Sequence, residues 1–173
     1  VKVEDREGAV PGATGEVRVI VWPKEDASAE MKTPWTRVKQ QSDYSHQFHF
    51  KYLKPDMRYA VRVEARDESG TAVDQGSFRT PADSSVWQDV SFGVVTGQSY
   101  WDLDHRDGYH IYPAMQKQRL DFLVPTGDTV YLDSESPRAR TIDLARYHWH
   151  RMYSLPRHVD FHRNVPGYWE VDD

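Results

Sequence analysis

Leu53-Lys54-Pro55-Asp56-Met57-Arg58-Tyr59-Ala60-Val61-Arg62-Val63-Glu64-Ala65 carries two signals in one short stretch. From Tyr59 onward the apolar residues fall at 59, 61, 63 and 65, a period of two that puts them on one face of a strand. The preceding Leu-x-Pro-x-x-x-Tyr has the form of a tyrosine corner, in which a buried Tyr hydroxyl bonds upstream backbone and closes the turn between the sheets of a β-sandwich. Working outward, Glu16 to Trp22 alternates with apolar residues at 17, 19 and 21 and stops at Pro23. Ser45 to Tyr52 puts Phe48, Phe50 and Tyr52 on one face, Asp67-Glu68-Ser69-Gly70 is a turn, and Gly76 to Pro81 is a last strand. His46 and His49 lie on opposite faces of the 45–52 segment and flank its phenylalanines, which favours packing over ligand duty. Residues 16 to 80 are therefore expected to form an all-β unit with Tyr59 buried. Four or five strands stand where about seven are usual, so the sandwich is incomplete.

Composition separates this stretch from the remainder of the chain. The chain has 173 residues, enough for two small domains. Residues 1 to 82 hold 13 basic and 13 acidic side chains, whereas residues 83 to 173 hold 9 and 14, so the whole net charge of −5 lies in the second part. Six of the eight His also lie there, and Thr80-Pro81-Ala82-Asp83-Ser84-Ser85 reads as a linker. A domain at 1–82 succeeded by another at 83–173 is the expected organisation. Zero Cys excludes disulfides, cysteine-held zinc or iron–sulfur sites and a thiol nucleophile. The negative charge argues against general nucleic-acid binding. A mean hydropathy of −0.79 leaves no stretch that approaches the roughly 20 apolar residues of a membrane helix.

In the second part Val90 to Gly97 is an apolar run that ends in a Thr-Gly loop, and Leu120 to Asp128 is another that ends in Gly-Asp. A helix is expected to start near Tyr112, and a second over Thr141 to Tyr153, where Ile142, Ala145, Trp149 and Met152 recur every three or four residues. Val165 to Asp173 reads as a third strand with acids at its end. Strands alternating with helices imply a parallel sheet, whose ligands gather beyond the carboxyl ends of the strands. Asp128, Asp172 and Asp173 lie at such ends. Converging carboxylates repel unless a cation sits between them, although any one of these residues is equally at home capping a helix or turning the chain. Asp102, Asp104 and Asp107 also crowd one loop, without the Gly and terminal Glu of an EF-hand.

These residues carry two resemblances. Residues 53–81, with the tyrosine corner, Val61-Arg62-Val63 and Gly76-Ser77-Phe78-Arg79-Thr80-Pro81, resemble the second half of a fibronectin type III domain. Phe122 to Tyr131 is similar to the Gly-Asp-x-x-Tyr motif of binuclear metallophosphatases. Together with Tyr168 to Asp173, the intervening helix and Pro166, it resembles the alkaline phosphatase D (PhoD-like) branch. The resemblance implies an α+β chain: an incomplete fibronectin-like β-sandwich, then the first strands and helices of an α/β metallophosphatase fold. It further implies two metal ions, iron and calcium or another divalent ion. Asp128 would bridge them, Tyr131 would be a phenolate ligand to one and Asp173 a ligand to the other. The implied activity is hydrolysis of phosphate mono- or diesters by a metal-activated hydroxide. The remainder of a longer parent chain is the implied partner, and the implied location is secreted or periplasmic, with any targeting segment already removed.

Two departures weigh against activity in this chain. Gly97 stands where the branch has a Cys ligand, and the His expected after Asp173 is not in the sequence. Asp102, Asp104 and His105 are the nearest substitutes for the thiolate, while His148 and His150, two apart on a helix, point in different directions. A non-catalytic binding or adhesion module with a degenerate metal site is the alternative expectation.

Overall fold

The computed structural model describes residues 2–170. The chain is mixed α/β and divides into two compact units, Gly12–Asp89 and Val1–Pro11 with Val90–Asp173. These bounds differ from the expected 1–82 and 83–173. The first residues join the second unit because the Tyr147 hydroxyl donates to the Glu7 carbonyl at 2.7 Å. Among the described residues no helix is long and apolar enough to cross a membrane.

In the unit Gly12–Asp89, β1 (Gly15–Pro23), β2 (Met31–Lys32), β3 (Thr36–Val38), β4 (Arg58–Asp67) and β5 (Gly70–Arg79) form one antiparallel sheet in the order β2-β1-β4-β5, with β3 also on β1. The register Val19↔Val63 and Val21↔Val61 arises from the alternation of both strands. Val19, Val21 and Tyr59 make the core on one face, packed against Met31, Phe48, Phe50, Leu53, Met57, Val61 and Phe78. The other face is held by charge. Arg18 Nε donates to Glu64 at 2.6 Å, and Trp35 lies under the guanidinium groups of both Arg18 and Arg66, 4.4 and 4.1 Å from its ring centre.

Tyr59 is 2% exposed, and its hydroxyl accepts the Lys54 N–H at 2.9 Å. The corner is also tied to the end of β5, where the Thr80 hydroxyl donates to the Lys54 carbonyl at 2.6 Å and accepts the Met57 N–H at 2.9 Å. The expected strand over 45–52 does not form. Phe48 and Phe50 reach the core from unpaired backbone, whereas Tyr52 takes a left-handed φ of 64° and is 97% exposed. That reversal turns its ring away from the face shared by the two phenylalanines.

In the other unit β6 (Phe92–Val95) and β7 (Phe122–Pro125) pair in parallel, in the register Phe92↔Phe122 through Val95↔Pro125. The segment after Val165 runs along β7 as an expected third strand would, although only a bridge at Gly167 is regular. Leu123 N–H donates to Pro166, Tyr168 N–H to Leu123 and Glu170 N–H to Pro125, at 2.8, 2.8 and 3.1 Å. The helices are α1 (Ile111–Gln116), α2 (Ile142–Tyr153) and α3 (Pro156–His162). Tyr112, Leu123, Phe161 and Val165 form the core beside β7. Gly93 fits there because a Cβ would lie 3.0 Å from the Leu120 and Leu123 side chains.

Helix α2 is capped by Thr141, whose hydroxyl accepts the Leu144 N–H at 3.3 Å. Its buried face shares only Met152 with the apolar stripe expected from the sequence. Ile142 is 65% exposed and Trp149 41%, while Tyr147, His148, Arg151 and Met152 are buried. The physical reason is Glu135, 6% exposed, which forms an ion pair with Arg151, itself 2% exposed. A paired guanidinium can be buried where a lone one cannot.

Candidate functional site

The loops after β6 and β7 are stitched together at the carboxyl ends of the two parallel strands. Thr126 N–H donates to the Val95 carbonyl at 2.9 Å, the Thr96 hydroxyl to Gly127 at 3.2 Å, and Gln98 N–H to the Asp128 carbonyl at 2.8 Å. Gly127 and Asp128 both have positive φ, 99° and 48°, so the chain reverses sharply here. Asp tolerates this left-handed conformation better than most residues with a side chain. The reversal leaves Gly127 and Thr129 buried and Asp128 exposed between them. Three residues on, the Tyr131 hydroxyl donates to Asp128 Oδ2 at 2.9 Å.

Two of the three residues singled out from the sequence, Asp128 and Tyr131, are thus brought together. Asp173 lies outside the described residues. Gly97, where a thiolate was expected by resemblance, has a φ of 70° that side chains rarely adopt, although a Cβ there would meet nothing within 4 Å. The nearest substitutes for that thiolate are engaged with neighbouring residues. Asp104 accepts the His110 N–H at 2.8 Å and lies 3.0 Å from that imidazole, and His105 Nδ1 accepts the Asp107 N–H at 3.1 Å. His148 is buried, with Nε2 2.6 Å from the Pro137 carbonyl.

Among the described residues no three His, Asp or Glu side chains come together to hold a metal ion. Asp128 and Tyr131 supply oxygen donors suited to one hard cation, but these residues do not make a two-metal cradle.

Two features of this region were not read from the sequence. The first is a clamp on the loop that comes after Tyr131. Glu135 accepts the Tyr100 N–H at 2.6 Å and pairs with Arg151, whose guanidinium lies 4.2 Å from the Tyr100 ring centre and 5.0 Å from that of Tyr147. The available signal was compositional: Glu135 is one of only two Glu after residue 82. The second is a buried group of aromatic and imidazole rings around Tyr112, Tyr153, His158 and His162. Burial pushes the Tyr109 and Tyr112 phenols up, raises Tyr153 to about 12, and drives His158 down to about 3. These groups stay neutral around pH 7.

No family model matches the chain, and no curated protein matches it. A solved structure described as "Structure of PhoD" is similar over 95% of this chain, with a TM-score of 0.71 and 20% sequence identity. That likeness shows the fold alone. The chain spans about a third of the solved protein's length, 33%.

Proposed function

We propose that this chain is a portion of a PhoD-like, metal-dependent phosphoesterase that hydrolyses phosphate mono- or diesters, and that alone it lacks full activity. The observation that carries the reading is the Tyr131–Asp128 hydrogen bond at the carboxyl ends of the parallel strands, in a fold similar to a third of PhoD. In this reading Asp128, Tyr131 and Asp173 are metal ligands, the unit at Gly12–Asp89 is fibronectin type III-like, and the protein works in a secreted or periplasmic setting on a phosphate ester. Iron with calcium or another divalent ion would supply the Lewis acidity and the activated water when bound.

The left-handed Gly97 favours a second reading, a binding module whose degenerate site captures a cation without turnover. Titration with manganese, calcium and ferric ions, paired with hydrolysis of an aryl phosphate, tests both readings. Weak binding that disappears in Asp128→Asn, with no turnover, is expected of the isolated chain. Binding that is unaffected by Asp128→Asn contradicts the metal-site reading. Turnover that vanishes in Asp128→Asn contradicts the claim that the chain is insufficient.

A further inference from the structure

Gln98 directly succeeds Gly97 and is 7% exposed, with polar contacts in two directions. Toward the strand ends its main-chain N–H holds the Asp128 carbonyl at 2.8 Å. Toward the core its side-chain Oε1 accepts the Tyr112 hydroxyl and lies 3.0 Å from His158 Nε2. Tyr112 belongs to α1 and His158 to α3. Tyr153, at the end of α2, lies close enough to the Gln98 and Thr129 side chains to feel them, without a well-formed hydrogen bond of its own. All three helices of the unit therefore meet one amide, and the residue that carries it holds the backbone of Asp128.

The chemistry of the contacts fixes their direction. His158 is fully buried and neutral, so one ring nitrogen carries the proton. Protonation at Nε2 gives Gln98 Oε1 a second donor and leaves only an acceptor, Nδ1, without a partner. The Gln98 Nε2 group is also buried without a partner. An apolar side chain of similar volume would remove that stranded amide but leave the buried Tyr112 hydroxyl and His158 ring N–H without their acceptor, so the glutamine is held here by those two contacts. What an apolar residue could not do is accept hydrogen bonds from Tyr112 and His158 and so fix the main-chain N–H that Asp128 requires.

We infer that Gln98 is a positioning residue: it ties the Asp128 loop to α1 and α3 and holds the carboxylate in its left-handed, outward-facing geometry. The cation-binding part of this inference rests on the phosphoesterase reading, whereas the loop-holding part does not. Ligand-orienting contacts of this kind are worth about ten- to a hundredfold in metal affinity.

The test compares the whole chain with Gln98→Leu and Gln98→Glu, the latter keeping an accepting oxygen at the Oε1 position. Two readouts are taken: amide hydrogen exchange over residues 126–131 relative to the β7 amides, and terbium affinity at the site abolished by Asp128→Asn. Gln98→Leu is expected to speed loop exchange about tenfold relative to β7 and to weaken terbium by at least that factor, and Gln98→Glu to restore both. A residue that merely supports the core would shift loop and β7 amides together, and that result overturns the inference. Unchanged loop exchange in a folded Gln98→Leu overturns it as well. If Gln98→Leu does not fold, Tyr112→Phe removes one donor to the same oxygen and must speed loop exchange selectively. If no terbium binding depends on Asp128, the phosphoesterase reading fails while loop exchange still decides the role of Gln98.

Discussion

The Tyr131 hydroxyl and the Asp128 carboxylate are joined by a 2.9 Å hydrogen bond at the point where the chain leaves a parallel strand through a left-handed turn. A phenol and a carboxylate that share a proton already have the separation at which one cation can replace that proton. No group of three His, Asp or Glu completes such a site among the described residues; in the proposed reading the pair is one corner of it.

The tyrosine corner makes a direct stability prediction. Tyr59→Phe keeps the buried ring stacked on Phe78, 5.5 Å away, but removes the acceptor of the Lys54 N–H. A loss of about 1 kcal/mol in urea unfolding is expected, since one hydrogen bond is removed at a backbone group near the surface. No change would mean that the hydroxyl has no part in closing the corner.

Arg151→Met removes the partner of the buried Glu135 and leaves that carboxylate without its cation. The expected cost is about 3 to 5 kcal/mol. Pairing Arg151→Met with Glu135→Gln should recover much of it, because no uncompensated charge then stays buried. A double variant no better than the single one would contradict the clamp.

Burial holds His158 at about 3, well below its ordinary 6.5, and depresses His148 and His162 as well. Above pH 6.5 both folded and unfolded chains keep these rings neutral. As pH falls from 6.5 toward 3 the unfolded chain takes up protons that the folded chain refuses, so stability declines through that window. Each such ring contributes a slope of up to about 1.4 kcal/mol per pH unit. Unfolding at about pH 7 and about pH 5 should show the decline, made shallower by His158→Gln. An identical slope in that variant would contradict the assignment.

Gly97→Cys places a thiol where a Cβ meets nothing, but in a backbone conformation that costs about 1 to 2 kcal/mol for a residue with a side chain. A drop of that size in unfolding free energy is expected, with tighter zinc binding that depends on Asp128. A variant as stable as the parent would show that the turn at Gly97 relaxes freely.

The parts of this molecule that could be read from its sequence are those built from local spacing. Alternation marked β1 and β4, the Leu53-to-Tyr59 spacing marked the corner, and Thr141 marked the start of α2. Asp128 and Tyr131 meet because they are three residues apart across a single turn. What was illegible depends on distant partners. Arg151 is buried only because Glu135, 16 residues away, neutralises it, and so the exposed Ile142 and Trp149 looked like the inner face of α2. The short helix α3, with Pro156 at its start, buries His158, which hydropathy alone places outside. Likewise, the left-handed φ at Tyr52 diverts the end of a segment whose alternation otherwise reads as a strand.

That Asp128 and Tyr131 form one corner of a phosphoesterase metal site is tested most directly by ferric titration monitored in visible absorption. A phenolate bound to ferric iron gives a charge-transfer band. The predicted result is a weak band that is lost in both Tyr131→Phe and Asp128→Asn, while unfolding of the two variants stays close to that of the parent chain. No band in the parent, or a band that persists in Tyr131→Phe, would contradict it.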